Sequence, residues 1–561
     1  MIPTQVFIFI FIGACFCFAE AALRKNQRNS SSSLSRRLKF NTCSVLKSFI
    51  EYENDNKESA LHSKKEICSC EIEDGAILEL ENLAEKICSE LVSSESVITS
   101  SSGFDLNEAT QVASIPFEAT LETTTVAMEE ILRRRLAVVG EKSVLIIRAI
   151  AADASTSSNE DKLREEILGV GGSDAVNLSS QYDACSYGQL TFFANTQYGN
   201  NGVYTTTIVN NVSGQDNGVI RNAMISQSQT DLGVSQLRNT ADYVLLCIPP
   251  GTSGGWIAYA YINSYLSVYN NRWCEYPSGL MHEIGHNIGL AHSGEGSNQY
   301  ADQSGMMGYS YSSDEGPIMC FNGAKTYQLG WFPDYSEQVE SDAPFYWQGD
   351  LIGFVDKDEA DPCNAGEYCD TMIFRLTPKT GNEYYVHFNR KSGFNSGTKE
   401  AGNQVMVVNR SRGEGYGPSL IFAKLGANTL YTVQNFGDFG SLTISIGSIT
   451  LNSNSKSWAD VTIQYGDAPT DAPVVAPTDA PVVAPTDVPV VAPTDVPVVA
   501  PTDAPVVAPT DVPVVAPTDA PVVAPTDAPV VAPTDAPVVA PTDAPVVAPT
   551  DAPVVAPTDA P

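Results

Sequence analysis

The chain has 561 residues, with 32 Lys and Arg against 66 Asp and Glu, for a formal net charge of −34. That balance excludes nucleic acid as a natural partner, and no stretch is apolar for long enough to be a comfortable membrane span. The composition is uneven. From residue 467 the sequence repeats APTDAPVV, and this tail holds 24 of the 35 prolines and 13 aspartates with no Lys or Arg, leaving −21 on the rest.

Residues 1–21 read as a signal peptide. Val6 to Phe18 is an apolar run, and Ala19-Glu20-Ala21 offers small residues at the two positions a signal peptidase reads. A signal anchor is the alternative, because no Lys or Arg precedes the run. Export agrees with the cysteines. Once Cys15 and Cys17 leave, ten remain: Cys43, Cys68, Cys70 and Cys88 early, then Cys185, Cys247, Cys274, Cys320, Cys363 and Cys369. In an oxidising compartment these form disulfides within each group. Asn29, Asn177, Asn211 and Asn409 each begin an N-x-Ser/Thr sequon.

Residues 22–135 read as a pro-region. Ile77, Leu80, Leu83, Ala84, Ile87 and Leu91 fall at helical spacing, which predicts a small disulfide-tied helical unit. Arg133-Arg134-Arg135 after a Ser/Thr-rich stretch is a candidate processing site; the alternative is an ordinary basic helix end. Residues 136–334 mix strand and helix: strands at 143–150, 189–195, 203–209, 243–248 and 257–262, and helices at 162–168 and 219–232. From 335 to 466 helical periodicity gives way to short apolar runs between Gly, Asn and Ser turns, the pattern of an antiparallel β domain. The tail, 467–561, with Pro at every fourth residue, suits an extended spacer. The fold class is α+β, followed by a disordered tail.

The chemistry concentrates in Met281-His282-Glu283-Ile284-Gly285-His286-Asn287-Ile288-Gly289-Leu290-Ala291-His292. Ser278 can cap a helix running to about Ile288. His282 and His286, four apart, then share one face. Met281, Ile284 and Ile288 point elsewhere and anchor the helix. Glu283 stands beside the first histidine, placed to handle a metal-bound water. Gly289 lets the chain leave the helix through positive φ, bringing His292 round as third ligand. Three protein ligands leave a position open, as a catalytic zinc site requires. Fixing three His, one Glu and one Gly makes a chance match on the order of one in 10⁵. The bland alternative is a helix with structural histidines, which is how His62 and His387 read.

Downstream, Tyr300-Ala-Asp302-Gln-Ser304-Gly-Met306-Met307-Gly308-Tyr309 offers a methionine turn beneath the metal. Met307 is the candidate, with Met306 the competing frame, and Tyr309 then stands two residues on. With Cys185-Ser-Tyr-Gly188, Leu245-Leu-Cys-Ile-Pro-Pro-Gly251 and Cys320-Phe-Asn-Gly-Ala-Lys-Thr-Tyr-Gln-Leu-Gly-Trp331, these blocks make residues 140–465 resemble the gametolysin (autolysin) family of metzincins. Some members have Gln at the position of His282; this chain has the histidine. The resemblance implies a metzincin-type zincin fold, one catalytic Zn²⁺ on His282, His286 and His292, and Glu283 as general base. It implies an oxyanion role for Tyr309 and endopeptidase action on extracellular matrix or cell-wall glycoproteins.

The expected product is therefore secreted, extracellular or wall-associated through its tail, with a protein or glycoprotein substrate and no span in the mature chain. The rival is an inert wall structural or adhesion protein carrying a zincin domain. A thiolate from Cys68 or Cys70 can in principle block the metal, although disulfides are the favoured state for both. The strand at 257–262 is a candidate cleft edge. Structural Ca²⁺ fits the charge of Asp302 and other acidic loops, but no calcium-loop spacing supports it.

Overall fold

Four β sheets with few helices make up the fold, a mixed α+β architecture. This computed structural model describes residues 36–37, 42–52, 66–83, 85–107, 110–116, 119–125, 137–362, 369–412 and 416–466. The expected signal peptide, the candidate processing site Arg133–Arg135, the repeat tail, His62, Cys363 and Asn29 fall outside them. No helix among the described residues is long and apolar enough to cross a membrane.

The central sheet grows from Gly140–Ile150, whose run of Val, Leu and Ile is buried on both faces, as a parallel strand requires. It pairs in parallel with Leu190–Ala194, Val203–Thr207 and Tyr243–Ile248. Tyr243–Ile248 pairs in parallel with Leu266–Asn270, and the edge strand Ala258–Ala260 closes the sheet antiparallel. The helix Glu160–Leu168 starts at the Asn159 cap and stops at Gly169, φ 65°, as its sequence signals suggest. Asn217–Leu232 also forms as expected. The helix Leu178–Ser186 and the strand Leu266–Asn270 are not anticipated by the sequence pattern.

The C-terminal part is a β sandwich. A six-stranded sheet from Ser293–Glu295 to Ser336–Glu340 faces a four-stranded sheet built on Phe345–Ile352 and Trp458–Tyr465. Phe374, Val386, Val405 and Val407 meet Leu442, Ile444, Val461 and Ile463 between them. Trp458–Tyr465 alternates half-buried and buried residues along its length, the period-two pattern of a sheet with one face on the core.

The early region departs from its prediction. Residues 77–81 are a strand, not helix, and among the described residues of this region only Glu85–Glu90 is helical. The apolar spacing of a short run does not separate the two structures; here Ile77–Glu81 pairs with Ile67–Glu71 inside an eight-stranded sheet. Disulfides Cys43–Cys70 and Cys68–Cys88 staple it, so neither Cys68 nor Cys70 is a free thiol. Cys185–Cys320 and Cys247–Cys274 keep to the later group, and Cys369 is also disulfide-bonded. Of the described sequons only Asn211 is exposed. Asn177 and Asn409 are 3% exposed, and Asn177 forms a helix cap.

His387 is structural. Its Nε2 accepts the Gly323 N–H at 3.3 Å, and its ring stacks on Phe354. Burial pushes the imidazole down from 6.5 to about 3. Between those values the unfolded chain binds a proton that the fold refuses, so stability falls as pH drops from about 6.5 towards 3. Denaturant titrations across that range should lose up to about 1.4 kcal/mol per pH unit from this group. His387→Gln should show a shallower slope; an unchanged slope would remove the imidazole from the account.

Candidate metal centre

The helix Pro277–Asn287 carries the first two histidines. Pro277 occupies its first position, where a missing N–H costs nothing. Ser278 does not cap it: no side chain caps Tyr276, and the Ser278 hydroxyl accepts the Tyr311 N–H at 3.1 Å. Met281 and Ile284 are fully buried anchors, while Ile288 is only half-buried at the helix end. Gly289, φ 93°, turns the chain; a Cβ there would also lie 2.4 Å from Asn263 Oδ1.

The turn delivers His292. Ligand atoms of His282, His286 and His292 all lie within 4.8 Å of one another, and all three rings are buried. Their rings pack edge-on or tilted, with centroids 4.7–5.2 Å apart. Main-chain carbonyls orient two of them. Met306 O lies 2.9 Å from His282 Nδ1, and Leu290 O lies 2.8 Å from His286 Nδ1. A carbonyl only accepts, so both Nδ1 atoms carry the proton and Nε2 is left as the ligand atom.

Glu283 is fully buried beside the triad, and neither of its carboxylate oxygens has a hydrogen-bond partner. Burial first, and then the neighbouring Glu51 carboxylate, push it well above the usual carboxylate range. A dication at the triad acts in the opposite direction. The residues thus fit Zn²⁺: three imidazoles in zinc spacing and an orphaned carboxylate beside them.

Met307 is buried beneath the helix. A Cβ on Gly285 would lie 2.4 Å from its sulfur. Met306 contributes its carbonyl to His282, so both frames of the methionine pair touch the site. Tyr309 is 42% exposed with its ring on Tyr311 at 4.9 Å. Two other tyrosines contact the triad rings. The Tyr416 hydroxyl is 3.1 Å from His286 Nδ1, and the Tyr300 ring is 4.2 Å from His292. Asp302 directs its carboxylate to Ser304 N–H and to Asn322 Nδ2 at 2.8 Å each.

Sequence reasoning missed three contributors. Asn287, inside the motif, donates to Tyr261 O and Leu266 O, tying the helix to the edge of the sheet. Tyr416 comes from the β sandwich, and no motif surrounds it. Glu51 lies far upstream, with no sequence signal to pair it with a histidine 231 positions later; its Oε1 is 3.0 Å from His282 Nε2.

Residues 142–344 match the family described as gametolysin peptidase M11, which bears out the resemblance drawn from the motif blocks. An autolysin of Chlamydomonas reinhardtii is 29% identical over 112 residues, which is 19% of this chain and 17% of that protein. The chain therefore spans under a fifth of the length of this relative.

Gly285→Ala should force Met307 off the helix. The expected outcome is a stability loss of roughly 1–3 kcal/mol together with weaker metal retention, read by thermal melting and metal analysis. A variant as stable and as metal-retentive as the parent would remove the close approach from the argument.

Proposed function

We propose that the chain is a secreted zinc-dependent endopeptidase of the metzincin class, acting on extracellular matrix or cell-wall glycoproteins. His282, His286 and His292 hold the metal and Glu283 is the general base. One observation carries the reading: a buried triad of imidazoles in ligand spacing, with a buried carboxylate beside it that nothing in the fold satisfies. A structural histidine cluster has no use for that carboxylate, which also weighs against an inert wall protein.

Zinc bound there supplies a Lewis acid and brings its bound water to a pKa near 7. The rest falls to this chain's own groups. Met306 O and Leu290 O hold the imidazoles in one tautomer. Glu283 takes the proton of the attacking water and returns it to the leaving amine. The edge strand Ala258–Ala260 offers main-chain groups to an extended peptide. Tyr309 is the sequence-derived candidate for steadying the oxyanion, and Tyr416 is the candidate that the fold adds. Residues 22–135 act as a pro-region, 136–334 as the catalytic part and 335–466 as its β-rich support. The repeat tail serves as a spacer with affinity for the wall.

Glu283→Gln separates the roles. The variant should keep about one zinc per chain and lose cleavage of an unfolded protein by roughly 10²–10⁴-fold, whereas His286→Ala should lose the metal. Undiminished cleavage by Glu283→Gln would sink the base assignment, and a well-folded parent without zinc would sink the ligand set.

A further inference from the structure

We propose that Glu51 is a built-in inhibitory ligand of the metal in the uncleaved chain, delivered by residues 47–52 lying in the substrate cleft. The proposal rests on the zinc-peptidase reading and adds its regulation.

The edge of the central sheet is already paired. Lys47 O accepts the Ile262 N–H at 2.9 Å, and Ser48 stands opposite Tyr261. Glu51 N–H donates to Ala258 O at 3.0 Å, Glu51 O accepts from Ile257 at 2.8 Å, and Tyr52 stands opposite Trp256. This is antiparallel strand addition on the edge that an extended peptide would use. The side chains then reach the triad. Phe49 packs on His292 with centroids 5.3 Å apart and stacks on Tyr416 at 6.4 Å.

Glu51 is 4% exposed. Its Oε1 lies 3.0 Å from His282 Nε2, yet neither carboxylate oxygen makes a hydrogen bond. In the neutral ring whose proton sits on Nδ1, Nε2 presents a lone pair. Two acceptors at that distance repel unless a cation lies between them. A proton on His282 would satisfy this one contact. It would leave Glu283, a second buried carboxylate against the same triad, without compensation. A dication answers both. Two ligands about 2.0–2.1 Å from one zinc lie roughly 3.3 Å apart in a tetrahedral shell, close to the separation seen here.

A folded unit delivers the segment. Leu46 and Ile77 share a core with Leu246, Ile248 and Tyr259. Buried Arg221 donates to Ile77 O, Asn222 Nδ2 donates to the same carbonyl at 2.8 Å, and Arg238 pairs with Glu71. Ser93 Oγ donates to Ile262 O at 2.7 Å. Tethering of this kind raises the local concentration of a weak ligand. A carboxylate at the metal also resists turnover, since its carbon is a poor electrophile and its oxygens take the place of the attacking water. With Cys68 and Cys70 both in disulfides, this carboxylate is the group at the metal that the pro-region supplies.

The test uses the full uncleaved chain carrying Glu283→Gln, to prevent self-cleavage, loaded with Co²⁺. Adding Glu51→Ala or Glu51→Gln should shift the visible cobalt bands and let a chelator strip the ion at least about tenfold faster. With Glu283 restored, the uncleaved Glu51 variants should hydrolyse a fluorogenic peptide at least about tenfold faster than the uncleaved parent. The Gln variant keeps the side-chain volume and the strand pairing, so a folding defect does not imitate the result. Cobalt bound in a His286-dependent way, with bands and stripping rates indifferent to Glu51, would overturn the inhibitory ligand and leave the zinc site standing. Cobalt binding that is absent, or indifferent to His286→Ala, would overturn the zinc reading itself.

Discussion

Two carboxylates and three imidazoles are buried together, and the rest of the molecule is arranged around that charge problem. An ionised carboxylate costs several kcal/mol to take out of water, and two side by side cost more. Neither Glu51 nor Glu283 finds a hydrogen bond in compensation. The fold therefore stores an electrostatic demand that a divalent cation would meet, and the hydrogen bonds to Met306 O and Leu290 O orient two of the imidazoles.

Such a site must be rigid, because ligand atoms a few tenths of an ångström out of place lose the ion. Two of the later disulfides bracket the helix Pro277–Asn287. Cys247–Cys274 ties a central strand to the turn before it, and Cys185–Cys320 ties a packed helix to the loop after the methionine pair. Asn287 clips the helix to the sheet edge. Met307 presses against Gly285, where no side chain would fit. The β sandwich takes part directly: Ser293–Glu295 joins its sheet just after His292, the Ser419 N–H donates to His292 O at 3.1 Å, and Tyr416 reaches His286.

The same geometry makes the cleft accessible to the chain's own N-terminal region. An edge strand is a row of unsatisfied main-chain groups that pairs with whatever extended segment is held against it. Residues 47–52 are held there by a disulfide-stapled sheet with its own core. Covering the edge and neutralising the site are then one event, since the strand that pairs also carries Glu51.

The metal helix, its ligand spacing and the positive φ of Gly289 are properties of consecutive residues, set by 3.6-residue periodicity and glycine's freedom. They were legible for that reason, as were the Val- and Ile-rich parallel strands and the capped helix at Glu160–Leu168. The early sheet was misread as helix because five residues of apolar spacing suit either structure, and pairing partners decide. Serine suits the role of a cap, but the Tyr311 N–H claims the Ser278 hydroxyl. Glu51, Tyr416 and Asn287 acquire meaning only from what lies against them in space. The sequence by itself determined which atoms can hold a metal. The tertiary structure decided which distant carboxylate faces them, because a contact between residues 51 and 282 arises from two sheets docking and leaves no period in the chain.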